Sequence, residues 1–148
     1  DALPISNSVS FLAKHVLTRY IAIIESSFGG TNMEIKRLEQ NEEWAHTGIV
    51  EAGNLVFVSY CMKNEGQSIE DQMHGAFDVL SERLAAAGLT LSSVVQMDCL
   101  FRDIADLMFL ADVIKQRFPN AYPARKAYET KFIREGIRFQ VDAIAYKS

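Results

Sequence analysis

Two cysteines, Cys61 and Cys99, are all that the 148 residues carry. That is too few for a disulfide framework, and neither belongs to a C-x-x-C pair, so each reads as a buried reduced thiol. Basic residues are not in excess: the formal net charge is -4, which argues against a nucleic-acid binder that works by neutralising phosphates. No phosphate-cradling glycine loop is present, since Gly29-Gly30 and Gly53 are isolated turn glycines. His46 and His74 have no metal-ligand spacing to Cys61 or Cys99, so a metal site is not expected. The apolar run in residues 8–28 is broken by Lys14, His15, Arg19 and Glu25, so no membrane span is expected. It also lacks a basic start and an A-x-A cleavage site, which leaves a cytoplasmic location as the expectation. What is present is an ordinary globular composition, 49% hydrophobic and 23% charged, at a length suited to one core.

The first 32 residues differ in character from the rest. Ser8 can cap a helix over residues 8–28 with Val9, Leu12, Val16, Leu17, Tyr20, Ile21 and Ile24 on one stripe, ended by Gly29-Gly30. Glycine pairs are often encoded by a purine-rich run like a bacterial ribosome-binding site, and this pair lies just ahead of Met33. Residues 1–32 are therefore expected to be translated upstream DNA, with an accessory helix as the rival reading. Residues 33–148 form the expected domain, and they carry the whole net charge of -4.

Within that domain, 33–38 alternates weakly and suits an edge strand. Residues 46–51 and 54–62 read as a hairpin around Ala52-Gly53, with Leu55 and Phe57 facing one way and Val56, Val58 and Tyr60 the other. Ser68 caps a helix whose apolar stripe is Ile69, Met73, Ala76, Phe77, Leu80 and Leu84, and Gly88 ends it. A strand follows over 94–101. Asp103 then caps a second helix expected to bury Ile104, Leu107, Met108, Ala111, Ile114 and Phe118. Residues 128–133 and 137–146 read as the last two strands. The order β-β-β-α-β-α-β-β, with helix-length connections, predicts an α+β fold with a mixed sheet and both helices on one face. The other sheet face carries apolar side chains such as Ile144 and Tyr146, so self-association is the simplest way to cover it.

Few residues announce chemistry. His74 reads as a polar helix position and Trp44 as a core anchor. In Tyr122-Pro123-Ala124-Arg125 the proline fixes the backbone just before an arginine at the start of a strand. That guanidinium reads either as a surface charge or as a bidentate carboxylate ligand in a cleft.

Gly53-Asn54-Leu55-Val56-Phe57-Val58-Ser59, Ala85-Ala86-Ala87-Gly88, Val94-Val95, Phe101-Arg102-Asp103, Pro123-Ala124-Arg125 and Val141-Asp142-Ala143-Ile144-Ala145 together resemble the Rid (YjgF) family. That family was formerly labelled L-PSP endoribonuclease. The resemblance runs in order over residues 35–147; the stretch from Arg37 to Trp44 looks more like its divergent branches. It implies a chorismate-mutase-like fold and a homotrimer whose sheets pack into a central barrel, with ligand sites in the clefts between subunits. The implied activity is hydrolysis of reactive 2-imino or enamino acids to 2-oxo acids and ammonia, without a cofactor.

The carry-over of site residues is partial. Arg125 falls on the family's carboxylate-binding arginine. The tyrosine near the first hairpin strand is replaced by His46, and Ser-Gly at the end of the next strand reads Ser59-Tyr60. The cysteine or threonine after the arginine is Ala127, and the second-helix asparagine is Ala111. The water-orienting glutamate aligns with Gln140, which can hydrogen-bond a water but cannot take its proton. His46 is the attractive replacement base, since an imidazole ordinarily titrates near neutral pH. Asp142 lies on the same strand face, about 7 Å along the strand, and would act only through a shifted ligand or a bridging water.

The leading expectation is thus an imine deaminase in which Arg125 holds the carboxylate and backbone groups around Ser59, Tyr60 and Cys61 position the substrate. Gln140 or His46 would direct water to the C=N carbon. A trimeric protein that binds small carboxylates without turnover is the alternative. A ribonuclease has the weakest support, because Lys126, Lys131, Arg134 and Arg138 form a patch diluted by Glu129 and Glu135.

Overall fold

A computed structural model describes residues 34–148; the helix read over 8–28 lies outside the described residues. The alternating segments at the start of this region form three strands, β1 (Ile35–Asn41), β2 (His46–Ala52) and β3 (Leu55–Cys61). The β2–β3 loop is Gly53-Asn54, one residue later than the sequence suggests. Gly53 takes φ 59°, a left-handed conformation that glycine enters without a Cβ penalty.

Helix α1 (Ile69–Ala86) starts where expected: the Ser68 hydroxyl accepts from the Asp71 N–H, and Glu70 and Asp71 sit in the positive first turn. All six residues of its apolar stripe are buried. Strand β4 (Val94–Phe101), helix α2 (Leu107–Arg117), β5 (Ala124–Glu129) and β6 (Phe139–Tyr146) complete the domain. The sheet order is β1-β2-β3-β6-β4-β5. Only β4 and β5 are parallel, as the α2 crossover between them requires.

Both helices cover one sheet face. Val56, Val58, Met97, Cys99, Phe101, Phe139 and Val141 point into that layer against Phe77, Leu80 and Leu84. An aromatic contact centres it, with Phe101 and Phe139 rings 5.1 Å apart and Phe77 in contact with Phe118 at 5.7 Å. Fully buried Gln72 ties α1 to the segment before β6. Its amide donates to the carbonyls of Gln67 and Gly136, and its oxygen accepts from the Arg138 N–H.

Four expectations are corrected. Helix α2 buries Leu110, Val113, Ile114 and the following Phe118, while Met108 is 75% exposed and Ala111 faces outward. The helix is apolar around much of its girth, so spacing alone left its phase open. The strand expected at 128–133 lies at Ala124–Glu129, because Pro123 sets extended backbone immediately before it and the Thr130 N–H returns to the Phe101 carbonyl. Trp44 is 63% exposed in the β1–β2 turn, its N–H bonded to Asn41 Oδ1, and anchors no core. Tyr60 does not share a face with Val56 and Val58. A bulge between Val58 and Cys61 turns its ring outward.

Candidate functional site

The bulge in β3 is the local feature from which the site is built. Tyr60 adopts φ 61°, a left-handed conformation costly for a residue with a Cβ. Two fixed partners hold it there. Its N–H donates to Asp142 Oδ1 at 2.7 Å. On the other side, Arg83 of α1 donates to the Ser59 carbonyl and, through Nε at 2.7 Å, to Glu39. Of the backbone groups around Ser59 to Cys61 expected to position a ligand, the Ser59 carbonyl and the Tyr60 N–H are therefore already satisfied within the chain. Cys61 is fully buried with its thiol 3.8 Å from Arg83, on the helix side of the sheet. Burial pushes that thiol up to about 12, although Arg83 opposes the shift.

The Tyr60 ring stacks on His46 of β2, centroids 5.0 Å apart and planes 15° from parallel. Together they form one wall of a cleft of about 630 Å³. The other walls are Leu100 and Gln140 from the sheet, Trp44 from the β1–β2 turn, and Thr130, Lys131, Phe132, Ile133 and Arg134 from the β5–β6 connection. Among the described residues no aspartate or glutamate lines this cleft. Lys131 has no ion-pair partner among the described residues, whereas Arg134 lies 3.3 Å from Glu65.

Gln140 is only 7% exposed. Its Nε2 donates to Asp142 Oδ1 at 3.1 Å, so the two side chains touch despite their separation along the strand. With that nitrogen committed, Oε1 is the atom left to accept from a water. Asp142 stands behind the cleft, and burial raises its pKa, opposed by the bonds from Tyr60 and Gln140 and reinforced by neighbouring Asp98. His46, in the cleft wall, has its Nδ1 buried without a hydrogen-bond partner among the described residues.

Arg125 is not in the cleft. It pairs with Met97 across β4–β5, while Gln140 pairs with Leu100 across β6–β4. Residues in register share a sheet face, and Met97 points to the helix side whereas Leu100 points away. Arg125 and the Gln140–His46–Tyr60 cluster therefore occupy opposite faces of one chain. His74, as expected of a polar helix position, is tied structurally: its Nδ1 and carbonyl accept from Arg117.

Sequence reasoning missed Arg102. It donates to the carbonyls of Ile137 and Arg134, both at 2.7 Å, and lies over the Phe132 ring at 5.6 Å. It thus fixes the loop that walls the cleft. Its sequence signals were a charge directly after a buried strand and a place in the Phe101-Arg102-Asp103 motif, neither of which points to a role in the loop. Among the described residues no group of three His, Cys, Asp or Glu side chains is placed to hold a metal ion.

A six-stranded mixed sheet backed by two helices on one face, with a cleft beside its open face, defines a small α+β protein. Residues 34–147 match the profile of the family described as Endoribonuclease L-PSP, and the chain belongs to that family. A Streptococcus pyogenes M1 GAS protein, a solved member of the yjgF family, is 50% identical, with a TM-score of 0.75 over 76% of this chain and 96% of that one. The 2-iminobutanoate/2-iminopropanoate deaminase of Bos taurus is 35% identical over 77 residues, 52% of this chain and 56% of the relative. The chloroplastic Reactive Intermediate Deaminase A of Arabidopsis thaliana is 29% identical over 103 residues, 65% of this chain and 55% of the relative. The chain thus spans about half the length of these two curated relatives.

Proposed function

We propose that this protein hydrolyses 2-imino acids to 2-oxo acids and ammonia, R–C(=NH)–COO⁻ plus water giving R–C(=O)–COO⁻ plus NH₃, in a homotrimer. The observation that carries the reading is the polar floor of the cleft: Gln140, locked by Asp142, next to His46 with one nitrogen free. Gln140 Oε1 accepts a hydrogen bond from the attacking water and aims its oxygen at the C=N carbon. His46 Nε2 takes the proton and returns it to the departing nitrogen. An imine is already electrophilic, so orientation with a weak base suffices.

Lys131 and Arg134 line the cleft, and self-association adds the arginine that the family resemblance assigns to the substrate carboxylate, Arg125. Leu55, Phe57 and Tyr146 leave 40%, 40% and 48% of their surfaces exposed in one patch on the open sheet face, next to Ile144. A second copy covers that patch, and its edge strand β5 brings its Arg125 to the cleft of the first. The names of the two curated relatives support the chemistry. The alternative of a carboxylate-binding protein without turnover draws on Gln140, which cannot accept a proton. RNA cleavage is disfavoured by pairing within the basic patch: Arg138 grips Asp106 at 2.8 Å, Lys126 lies 3.6 Å from Asp98, and Arg134 faces Glu65.

The test is to generate 2-iminopropanoate with a serine dehydratase and follow its disappearance. Wild type is expected to exceed the rate in buffer. Arg125→Ala is expected to lose roughly 10–100-fold in kcat/KM, the worth of a charge-assisted carboxylate contact. No acceleration by wild type, or an unchanged Arg125→Ala, overturns the mechanism; binding without turnover selects the alternative.

A further inference from the structure

We infer that the cleft selects 2-imino acids with a large apolar side chain, above all an aromatic one, over those carrying a methyl or ethyl group. This rests on the deaminase reading and names the substrate class of the same site. Three observations carry it. The first is size: about 630 Å³ falls within the roughly 300–1,000 Å³ typical of drug-sized ligands, and a methyl group would leave most of it to water.

The second is the surface. Beyond the polar floor of Gln140 and His46, and apart from Thr130 and the cations Lys131 and Arg134 of the β5–β6 connection, the walls are apolar, with Trp44, Tyr60 and Phe132 as their aromatic part. Aromatic faces and edges of this kind favour another ring by offset or edge-on packing. Trp44 in a turn and Tyr60 on a bulge, 63% and 46% exposed, have no packing role in the core of the chain, and both face the cleft.

The third is that these walls are held in place at a cost. The Tyr60 backbone stays left-handed because Asp142 and Arg83 clamp the bulge, and its ring lies flat on His46. Phe132 sits under the Arg102 guanidinium, which also grips the main chain at residues 134 and 137. Two aromatic walls on separate segments, each fixed by an arginine outside the cleft, make a preformed slot. The substrate carboxylate lies toward Arg125 of the second copy, the imine carbon over Gln140 and His46, and the side chain between Tyr60 and Phe132.

The experiment uses the full chain and imino acids made in place by a D-amino-acid oxidase with catalase from D-alanine, D-leucine and D-phenylalanine. Oxidation removes the stereocentre, so the enantiomer supplied is immaterial. Hydrolysis above the spontaneous rate is read by competition with a trapping nucleophile. The expected kcat/KM order is phenylalanine imine, then leucine imine, then alanine imine, with at least tenfold between the ends. Tyr60→Gly, which suits the left-handed backbone and so preserves the bulge, is expected to cut that ratio severalfold, chiefly by slowing the aromatic substrate. Phe132→Ala is expected to do the same from the opposite wall. Equal or greater kcat/KM for the alanine imine overturns the inference while leaving the deaminase reading intact, as does an unchanged ratio in both variants. Failure to accelerate any of the three imines overturns both.

Discussion

At the scale of single residues, the buried ionisable groups make claims that solution chemistry can check. Cys61 and Cys99 both have thiols pushed up to about 12 by burial, despite Arg83 beside one and Arg125 beside the other. A thiolate is the reactive form, so almost none is available at pH 8. Native protein at pH 8 is expected to take up no Ellman's reagent over minutes, and two equivalents after denaturation. Rapid labelling of either thiol in the native state contradicts this burial. Asp142 gives a prediction with a sign. Its pKa is raised above the ordinary 3.8, so the fold prefers its neutral form. Its stabilising contribution is complete below the unfolded value and is lost as pH rises through the folded one. Asp142→Asn removes that dependence. Compared by urea unfolding at one protein concentration, wild type is expected to gain on the variant between pH 7 and pH 4. A constant difference between them refutes the assignment.

At the scale of elements, much was legible because local signals and packing agreed. Ser68, the α1 stripe and Gly88 delimit a helix whose ends and buried face the structure reproduces. The bulge at Tyr60 and the β5–β6 connection were not legible, and they make most of the site. A bulge changes which face a residue takes without changing any residue type, and the connection is held by side chains remote in sequence. Gln72 reaches it from α1 across 64 positions, and Arg102 from the end of β4 across 32 and 35. Arg102→Ala is expected to raise KM severalfold with kcat changed less, and to speed amide exchange in residues 130–137. Gln72→Leu keeps the volume but orphans a buried N–H and a carbonyl, at a cost of about 2–4 kcal/mol in unfolding free energy. Unchanged exchange in both variants removes the idea that this loop is pinned.

At the scale of the whole molecule, the Arg125 contradiction becomes informative. The resemblance placed it in one site with Gln140 and His46, yet the register of β4 with its neighbours sets them on opposite faces of the sheet. No rotamer crosses a sheet, so one chain cannot hold the complete constellation. The proposed site shared between copies is consistent with this, and with the exposed patch of Leu55, Phe57 and Tyr146. Phe57→Glu is then expected to lower the mass measured by light scattering and to abolish turnover together. A monomer with full activity excludes the shared site. The stricter test uses two variants that are inactive for different reasons, Arg125→Ala and Gln140→Leu. In a ring of copies each site takes its arginine from one chain and its glutamine from the next. Dissociating an equal mixture and allowing it to reassociate gives a site both intact partners when the two assignments coincide by chance. Roughly one quarter of wild-type activity should return in the mixture, although each variant alone stays inactive. If both residues serve within one chain, every chain in the mixture still lacks one of them, and mixing restores nothing.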